Sequence, residues 1–409
     1  MKLTIDKHRL WQRLNDMASV GATPAGGCNR QALSDLDFEG RGLFESWCRA
    51  AGCTIRHDAI GNVFARRPGR LDSAAPVMSG SHLDTQPTGG KYDGVYGVLS
   101  TLEVVETLND HAIETDHPID VVVWTNEEGS RFDCAMMGSA VWSGALDLQA
   151  ACALKDLQGV SVGSELERLG ITDTAAMDHN VHAAFELHIE QGPILEAQAT
   201  PVGIVTGVQH MCRFRIEFIG QETHAGPSPM AMRKDPMMAT ADFLTSGYAA
   251  ADRHQPDGRI TFGYIHASPG SPNTVPGRVE LTVDLRHPDA HAYLAMQQAV
   301  HTGCAASAAK FGLEFECNQV WEAPGVEFDS SCIQAVRDAV EAAGLPAMDI
   351  VSGAGHDACN IAAVAPTSMI FIPCEDGLSH NEAENITAEQ AANGANVLLH
   401  TLLVAAGGG

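Results

Sequence analysis

Short, largely apolar segments that end in polar residues are the feature that most restricts how this sequence can fold. Ile119–Thr125 (IDVVVWT) and Ala184–Glu190 (AFELHIE) have the length and composition of strands buried on both faces of a parallel sheet. Pro76–Ser81 is a third such strand, and Gly94–Leu108, which follows it, carries apolar residues at helical spacing. Strands that alternate with helix-length connections predict an α/β sheet.

The pattern changes near residue 211, where polar and apolar residues begin to alternate strictly, as in a strand with one face in solvent. The predicted elements from there are, in order, strand 212–218, helix Pro236–Arg253, strands Arg259–Ala267 and Val279–Arg286, helix Ala290–Phe311 and strand Leu313–Trp321. The order β-α-β-β-α-β is that of a ferredoxin-like unit.

Helix–strand alternation resumes after Pro324, with a helix over Ser330–Ala343, a strand over Thr367–Ile372 and a helix over Ala388–Val404. We therefore expect an α/β catalytic domain made of residues 1–211 and 325–409, interrupted by a smaller domain of residues 212–324.

Composition excludes several classes of protein. The chain has 409 residues, of which 45% are hydrophobic, enough for two well-packed domains. Its net charge of −26 is spread along the chain and argues against nucleic acid or an anionic membrane as a partner. No segment approaches the roughly 20 apolar residues that span a bilayer, the N-terminal segment is polar, and the eleven cysteines form no CxxC pair. We expect a soluble, cytoplasmic protein with reduced thiols.

Residues able to do chemistry follow the predicted strands. His82 and Asp84 lie two apart at a strand end, so they share a face and the carboxylate can orient the imidazole. Asp93 stands at the entry to a helix, where an N-cap is the alternative interpretation. Glu127 and Glu128 follow Ile119–Thr125, where open α/β sheets bind ligands, and could divide metal binding and proton transfer between them. A solvated loop is the alternative for this pair.

Two further histidines complete the set. His188 lies near the end of an apolar strand, where a hydrogen-bonded core histidine is the alternative, and His380 lies in a Gly-rich loop after Thr367–Ile372. Taken together, the carboxylates and three imidazoles at strand ends of one domain suit a pair of zinc-like ions bridged by one carboxylate.

The sequence resembles the zinc-dependent M20 metallopeptidase and amidase family, specifically its hydantoinase/carbamoylase branch. That branch includes N-carbamoyl-L-amino-acid hydrolases, β-ureidopropionases and allantoate amidohydrolases. The resemblance is carried by GSHLDTQPTGGKYDGVYGVL, TNEEGSRF with AMMGS, ELHIEQGP, THAGPSPMAMRKD, PNTVPGRVELTVDLRHPD, GAGHDA and GLSHNEAE. These blocks run from residue 80 to about residue 384, nearly the whole chain.

The resemblance implies two divalent ions per subunit, zinc or else manganese, cobalt or nickel, that share Asp93. The implied ligands are His82, Asp93 and His188 for one ion and Asp93, Glu128 and His380 for the other. Glu127 would be the general base, which takes a proton from the attacking water and returns it to the leaving nitrogen. Asp84 would be the partner of His82.

The family pattern also implies a set of substrate-binding residues. His224 would stabilise the oxyanion and reach into the neighbouring subunit's site. Arg286 would grip a substrate carboxylate with two hydrogen bonds, a task that lysine performs less well. Asn273 and Gln191 would complete this polar shell, and Gly355 would line the pocket. Without the resemblance, His224 and Arg286 read as surface residues.

We therefore expect a homodimer, formed through the inserted domain, that hydrolyses a small ureide. The reaction is cleavage of the ureido group of N-carbamoyl-L-amino acids or N-carbamoyl-β-alanine, giving the amino acid, ammonia and carbon dioxide. Allantoate amidohydrolysis is the nearest alternative, and a dipeptidase or aminoacylase is a more distant one. A metal-bearing binding protein without turnover is disfavoured because it has no need of Glu127, and a scaffold protein would leave the polar strand ends unexplained.

Overall fold

The computed structural model describes residues 3–71, 73–171 and 179–408, and the chain forms two compact units. The α/β unit comprises Met1–Gly207 and Glu327–Gly409, and the inserted unit comprises Val208–Val326. The two junctions lie within a few residues of those expected from the change in sequence pattern. Gly409, the last residue of the expected catalytic domain, lies outside the described residues, as do the first two residues of the chain.

The helices are α1 (Lys7–Ser19), α2 (Asp35–Ala50), α3 (Val95–Asp110), α4 (Met137–Ser143), α5 (Leu148–Ala153), α6 (Val162–Arg168), α7 (Ile194–Ala197), α8 (Pro236–Asp252), α9 (Ala290–Phe311), α10 (Ser330–Ala343), α11 (Asp357–Ile361) and α12 (Ala388–Ala405). The strands are β1 (Thr54–His57), β2 (Val63–Arg67), β3 (Val77–His82), β4 (Ile119–Trp124), β5 (Ala183–Ile189), β6 (Val202–Val208), β7 (His210–Ile219), β8 (Thr223–His224), β9 (Arg259–Ser268), β10 (Thr274–Val275), β11 (Arg278–His287), β12 (Glu314–Ala323), β13 (Val326–Glu327), β14 (Ala347–Ser352) and β15 (Thr367–Ile372).

A mixed sheet forms the centre of the α/β unit. Its order is β1-β2-β4-β3-β5-β15-β6-β13, with β14 paired to β6. The four central strands β4, β3, β5 and β15 run parallel, and every residue in them is buried. The expectation of a buried parallel sheet is thus confirmed for these strands. The outer strands β1, β2 and β6 pair antiparallel, which makes the whole sheet mixed.

Helix α3 packs closely on this sheet because of a glycine. A side chain at Gly97 would overlap the carbonyl oxygen of Leu187 in β5. Almost the whole of α3 is buried, and Val98, Leu99 and Leu102 belong to the apolar core of the α/β unit. The amphipathic segment near the N-terminus forms α1, which also contacts α3 and α12.

The inserted unit has the expected ferredoxin-like order. Its sheet runs β12-β7-β11-β9, all antiparallel, and helices α8 and α9 pack on it. Its own core includes Phe214, Phe218, Phe243, Leu281 and Met296. The α/β fold with an inserted β-α-β-β-α-β unit is therefore confirmed. Among the described residues, no helix combines the length and the apolar character needed to cross a membrane.

Gly97→Ala should lower stability, although alanine is ordinarily the better helix former. The overlap with the Leu187 carbonyl forces α3 away from β5, which we expect to destabilise the protein by about 1–3 kcal/mol. Gly42→Ala in α2 is the matched control: its new methyl group meets no atom within 4 Å, and it should stabilise by about 0.5–1 kcal/mol. Thermal unfolding of the two variants should therefore shift in opposite directions, and equal shifts would contradict the packing described.

Candidate active site

Asp93 lies at the centre of a group of histidines and acids. Its Oδ1 is 3.1 Å from Nε2 of His188 and 3.6 Å from Nε2 of His82, and its Oδ2 is 3.6 Å from Nε2 of His380. Nε2 of His380 also lies 3.2 Å from Oε2 of Glu128. Two ligand sets result, His82–Asp93–His188 and Asp93–Glu128–His380, each with its ligand atoms within 4.8 Å of one another. The structure thus brings together all five residues expected to bind metal.

The four parallel strands of the sheet bring these residues together. His82 is the last residue of β3, His188 is the penultimate residue of β5, Glu128 follows β4, and His380 follows β15. Parallel neighbours end at the same edge of a sheet, so residues at their carboxyl ends converge although they lie far apart in sequence. Asp93 completes the group from the loop that leads into α3.

The buried histidines present the nitrogen that a metal needs. Nδ1 of His82 is 2.9 Å from the carbonyl oxygen of Asp84, and Nδ1 of His188 is 2.9 Å from that of Ile189. A carbonyl oxygen only accepts hydrogen bonds, so in each neutral ring Nδ1 carries the proton and Nε2 has the lone pair. The Gly94 amide donates to Nε2 of His188, consistent with that tautomer. Metal-binding histidines are commonly oriented in this way.

Asp84 contacts His82 through a different atom from the one expected. The hydrogen bond to the imidazole comes from the backbone carbonyl of Asp84, whereas its carboxylate Oδ1 is 4.0 Å from Nδ1. The buried carboxylate instead accepts the amide N–H groups of Glu127 at 3.3 Å and Glu128 at 3.2 Å. The expectation that the carboxylate orients the ring is therefore corrected: a buried carboxylate needs donors, and these two amides supply them.

Gln191 also has a partner that the sequence did not suggest. Its Nε2 donates to Oδ2 of Asp93 at 2.8 Å, and the hydroxyl of Ser379 donates to the same oxygen at 2.6 Å. Gln191 therefore lies against the metal-ligand candidates themselves.

Burial and neighbouring charges set the ionisation of the site. Burial, reinforced by the carboxylates of Asp357 and Glu128, raises the pKa of Glu127 well above its ordinary value, although His82 opposes this. Burial also disfavours ionised Asp93, but the adjacent imidazoles of His188 and His82 outweigh it and hold the pKa of Asp93 well below its usual range. Glu127, with Oε2 3.4 Å from Nε2 of His82, is thus a better proton acceptor than an exposed glutamate.

The donor set fits a pair of divalent cations. Three imidazoles and two carboxylates are the nitrogen and oxygen ligands that zinc and similar ions prefer. Hydrogen bonding to Glu128 raises the pKa of His380, and burial lowers it. The effect of Glu128 is the larger, so the pKa of His380 is raised to about 9. A negative field that favours a proton on this ring also favours a metal cation. Asp93, with one oxygen facing each ligand set, is placed to be shared between two ions.

Unusual backbone conformations occur around the same residues. Asn126, Gln191 and His380 have φ values of 54°, 57° and 54°, in the left-handed region that non-glycine residues rarely adopt. Gly94 has a φ of 67°, and a side chain there would overlap the ring of His82. Strain of this kind is concentrated at functional sites, where the surrounding structure enforces it.

Several buried polar residues near the site were not predicted from the sequence. Glu186 accepts hydrogen bonds from the Ser81 hydroxyl at 2.7 Å and the Ala358 amide at 2.9 Å. Asp357 accepts one from the Ser139 hydroxyl at 2.5 Å. Glu186 could have been found, because it lies two residues before His188 in the same strand and so on the same face of the sheet.

Gly355 lies half-buried in the loop before α11. The next residue, His356, is buried with its ring centroid 4.6 Å from that of His188. Burial is the main cause that holds the pKa of His356 well below its ordinary value, and the adjacent His188 acts in the same direction, so the His356 ring is neutral. Gly355 is therefore close in sequence to a residue in contact with the candidate metal ligands.

The remaining expected site residues belong to the inserted unit. His224 and Asn273 are neighbours there, since β8 pairs with β10 and the Ala225 amide donates to the Asn273 carbonyl at 2.9 Å. Arg286, near the end of β11, donates from Nε to Oδ1 of Asp284 at 2.6 Å. The roles of these three residues toward the metal-ligand candidates stay predictions.

Comparison with known proteins identifies the family. Residues 78–404 match the model of peptidase family M20/M25/M40. The chain is 46% identical over 400 residues to an N-carbamoyl-L-amino-acid amidohydrolase of Rhizobium meliloti, covering 98% of this chain and 96% of that protein. It is 32% identical to a ureidoglycolate hydrolase of Oryza sativa subsp. japonica, covering 96% of this chain and 84% of that protein.

A solved structure is also similar. A hydantoinase/carbamoylase family amidase from Burkholderia multivorans superposes with a TM-score of 0.95 at 51% identity, over 99% of this chain and 98% of that chain. The chain belongs to the M20/M25/M40 family and is a hydrolase of its carbamoylase group.

If an ion occupies each ligand set, Asp93→Ala should remove both ions, whereas His380→Ala should remove only one. Asp93 belongs to both ligand sets and His380 to a single set. Elemental analysis after gel filtration would measure the number of ions per chain in wild type and in both variants. Retention of the wild-type metal content by Asp93→Ala would contradict the shared-ligand arrangement.

Proposed function

We propose that the protein hydrolyses the ureido C–N bond of N-carbamoyl-L-amino acids, or of N-carbamoyl-β-alanine. The observation that carries this proposal is the position of Glu127, a buried acid with a raised pKa, 3.4 Å from one candidate metal ligand and adjacent in sequence to another. A protein that only bound metal would have no use for this additional acid. The 46% identity to the Rhizobium amidohydrolase supports the choice of substrate.

Two divalent ions, held by His82, Asp93 and His188 and by Asp93, Glu128 and His380, would supply Lewis-acid chemistry by polarising the ureido carbonyl and acidifying a water molecule. Glu127 accepts a proton from the water as its oxygen bonds to the ureido carbon. Glu127 then returns that proton to the amino-acid nitrogen as the C–N bond breaks. The products are the free amino acid and carbamic acid, which decomposes to ammonia and carbon dioxide.

Residues of the inserted unit would bind the substrate. Arg286 would hold its carboxylate through two hydrogen bonds, with Asn273 adding a polar contact. His224, which is exposed on the inserted unit, would stabilise the oxyanion in the site of a second subunit. This assignment requires a homodimer, which is the commonest form of homo-oligomer.

A second candidate is hydrolysis of another ureide, allantoate or ureidoglycolate. It is favoured by the ureidoglycolate hydrolase of rice, which is 32% identical over nearly the whole chain. The same acids and histidines would serve either reaction, so the difference lies in the substrate-binding residues. Ammonia release should be measured from N-carbamoyl-L-amino acids, N-carbamoyl-β-alanine, allantoate and ureidoglycolate, with zinc, manganese, cobalt or nickel supplied. We expect the carbamoyl compounds to be turned over fastest, and a preference for allantoate or ureidoglycolate would select the second candidate.

Glu127→Gln should retain metal but lose turnover by about 10²–10⁴-fold, the usual contribution of a positioned base. Glu128→Gln is the matched neighbour: it should instead weaken binding of the ion shared with His380. Steady-state rates and metal content, measured on the same preparations, separate the two effects. The opposite pattern would exchange the roles of the two glutamates.

Coexpression of Glu127→Gln and His224→Ala chains should restore activity that neither variant has alone. In a mixed dimer, the His224→Ala chain keeps its own Glu127 and receives an intact His224 from its partner, so one of the two sites is complete. With random pairing, half the dimers are mixed, and roughly a quarter of wild-type activity should return. Mixed dimers that are verified by mass spectrometry but remain inactive would rule out sharing.

A further inference from the structure

Glu384 is a buried acid that the proposed reaction does not use. It is 1% exposed, and its Oε1 accepts the amide N–H groups of Tyr92 at 2.9 Å and Asp93 at 3.1 Å. Asp93 and Glu384 are 291 residues apart in sequence. The two amides lie immediately before α3, where backbone donors have no partner within the helix. A single carboxylate oxygen thus holds two consecutive peptide groups.

The loop before Asp93 is shaped to admit this carboxylate. A side chain at Gly90 would overlap the carboxyl group of Glu384, so the backbone of the loop lies directly against it. Close packing against Glu384 therefore explains why residue 90 is a glycine.

The segment that carries Glu384 contacts Asp93 at a second point. The Ser379 hydroxyl donates to Oδ2 of Asp93 at 2.6 Å, and His380, the next residue, faces the same oxygen at 3.6 Å. The segment from Ser379 to Glu384 therefore holds both the backbone and the carboxylate of Asp93. Displacement of Glu384 would move the residue that both ligand sets share.

We propose that Glu384 is a positioning residue that fixes the Asp93 backbone, so that one carboxylate can serve two divalent ions. Asp84 makes the same kind of contact with the amides of Glu127 and Glu128. Partners of metal ligands typically contribute 10–100-fold to metal affinity. This inference rests on the proposed metal centre, and its test measures metal binding and needs no substrate.

The experiment is calorimetric titration of Zn²⁺ or Mn²⁺ into the chelator-treated full-length chain, as wild type, Glu384→Ala and Glu384→Gln. Glu384→Ala should weaken binding of both ions by about 10–100-fold. Glu384→Gln should bind nearly as wild type, because its amide oxygen can still accept both N–H groups. Glu375→Ala is the matched control: it removes a nearby exposed carboxylate that binds the Asn385 side chain, and affinity should not change.

A folded Glu384→Ala with wild-type affinity would overturn the proposal. So would Glu384→Gln as weak as Glu384→Ala, since charge rather than hydrogen-bond acceptance would then matter. If Glu384→Ala does not fold, Glu384→Asp takes its place: its shorter side chain withdraws the acceptor, and wild-type affinity in that variant would again overturn the proposal. Failure of the wild type itself to bind either metal would overturn the metal centre and this inference with it, an outcome distinct from the others.

Discussion

The carboxylate of Asp93 is the group on which the arrangement of the site depends. Burial alone would favour its neutral form, but the adjacent imidazoles of His188 and His82 lower its pKa and keep it ionised. Its negative charge in turn attracts the three imidazoles, which lie close together at the end of a largely apolar sheet. The two oxygens face different histidines, so this one side chain divides the cluster into two ligand sets.

The four parallel strands explain why this cluster can form. β4, β3, β5 and β15 are wholly buried, so their registers are determined by packing on both faces. His82 pairs in register with Trp124, and His188 with Phe371, which places the ends of neighbouring strands level with one another. The polar residues that follow these strands therefore meet at one edge, while the antiparallel outer strands extend the sheet without contributing to the ligand sets.

Buried carboxylates tie the loops of the site together through backbone amides. Asp84 holds the amides of Glu127 and Glu128, and Glu384 holds those of Tyr92 and Asp93. Each contact supplies hydrogen-bond donors to an acid that would be costly to bury without them, and each positions residues of a different strand or loop. Similar enforcement is visible in the left-handed backbone of Asn126, Gln191 and His380.

The class of fold and the inserted unit followed from the sequence, because apolar periodicity is a local property that needs no coordinates. Strand-end position marked His82, Glu128, His188 and His380 only as candidates, and Asp93 could equally have been an N-cap. The family resemblance, carried by long motifs, made these five the expected metal ligands. Only the tertiary structure decided which atoms make contact. The carbonyl rather than the carboxylate of Asp84 binds His82, Gln191 donates to Asp93, and Glu384 reaches a backbone 291 residues away. Such contacts depend on how buried donors and acceptors are satisfied once the loops pack together, and no local pattern in the sequence encodes that competition.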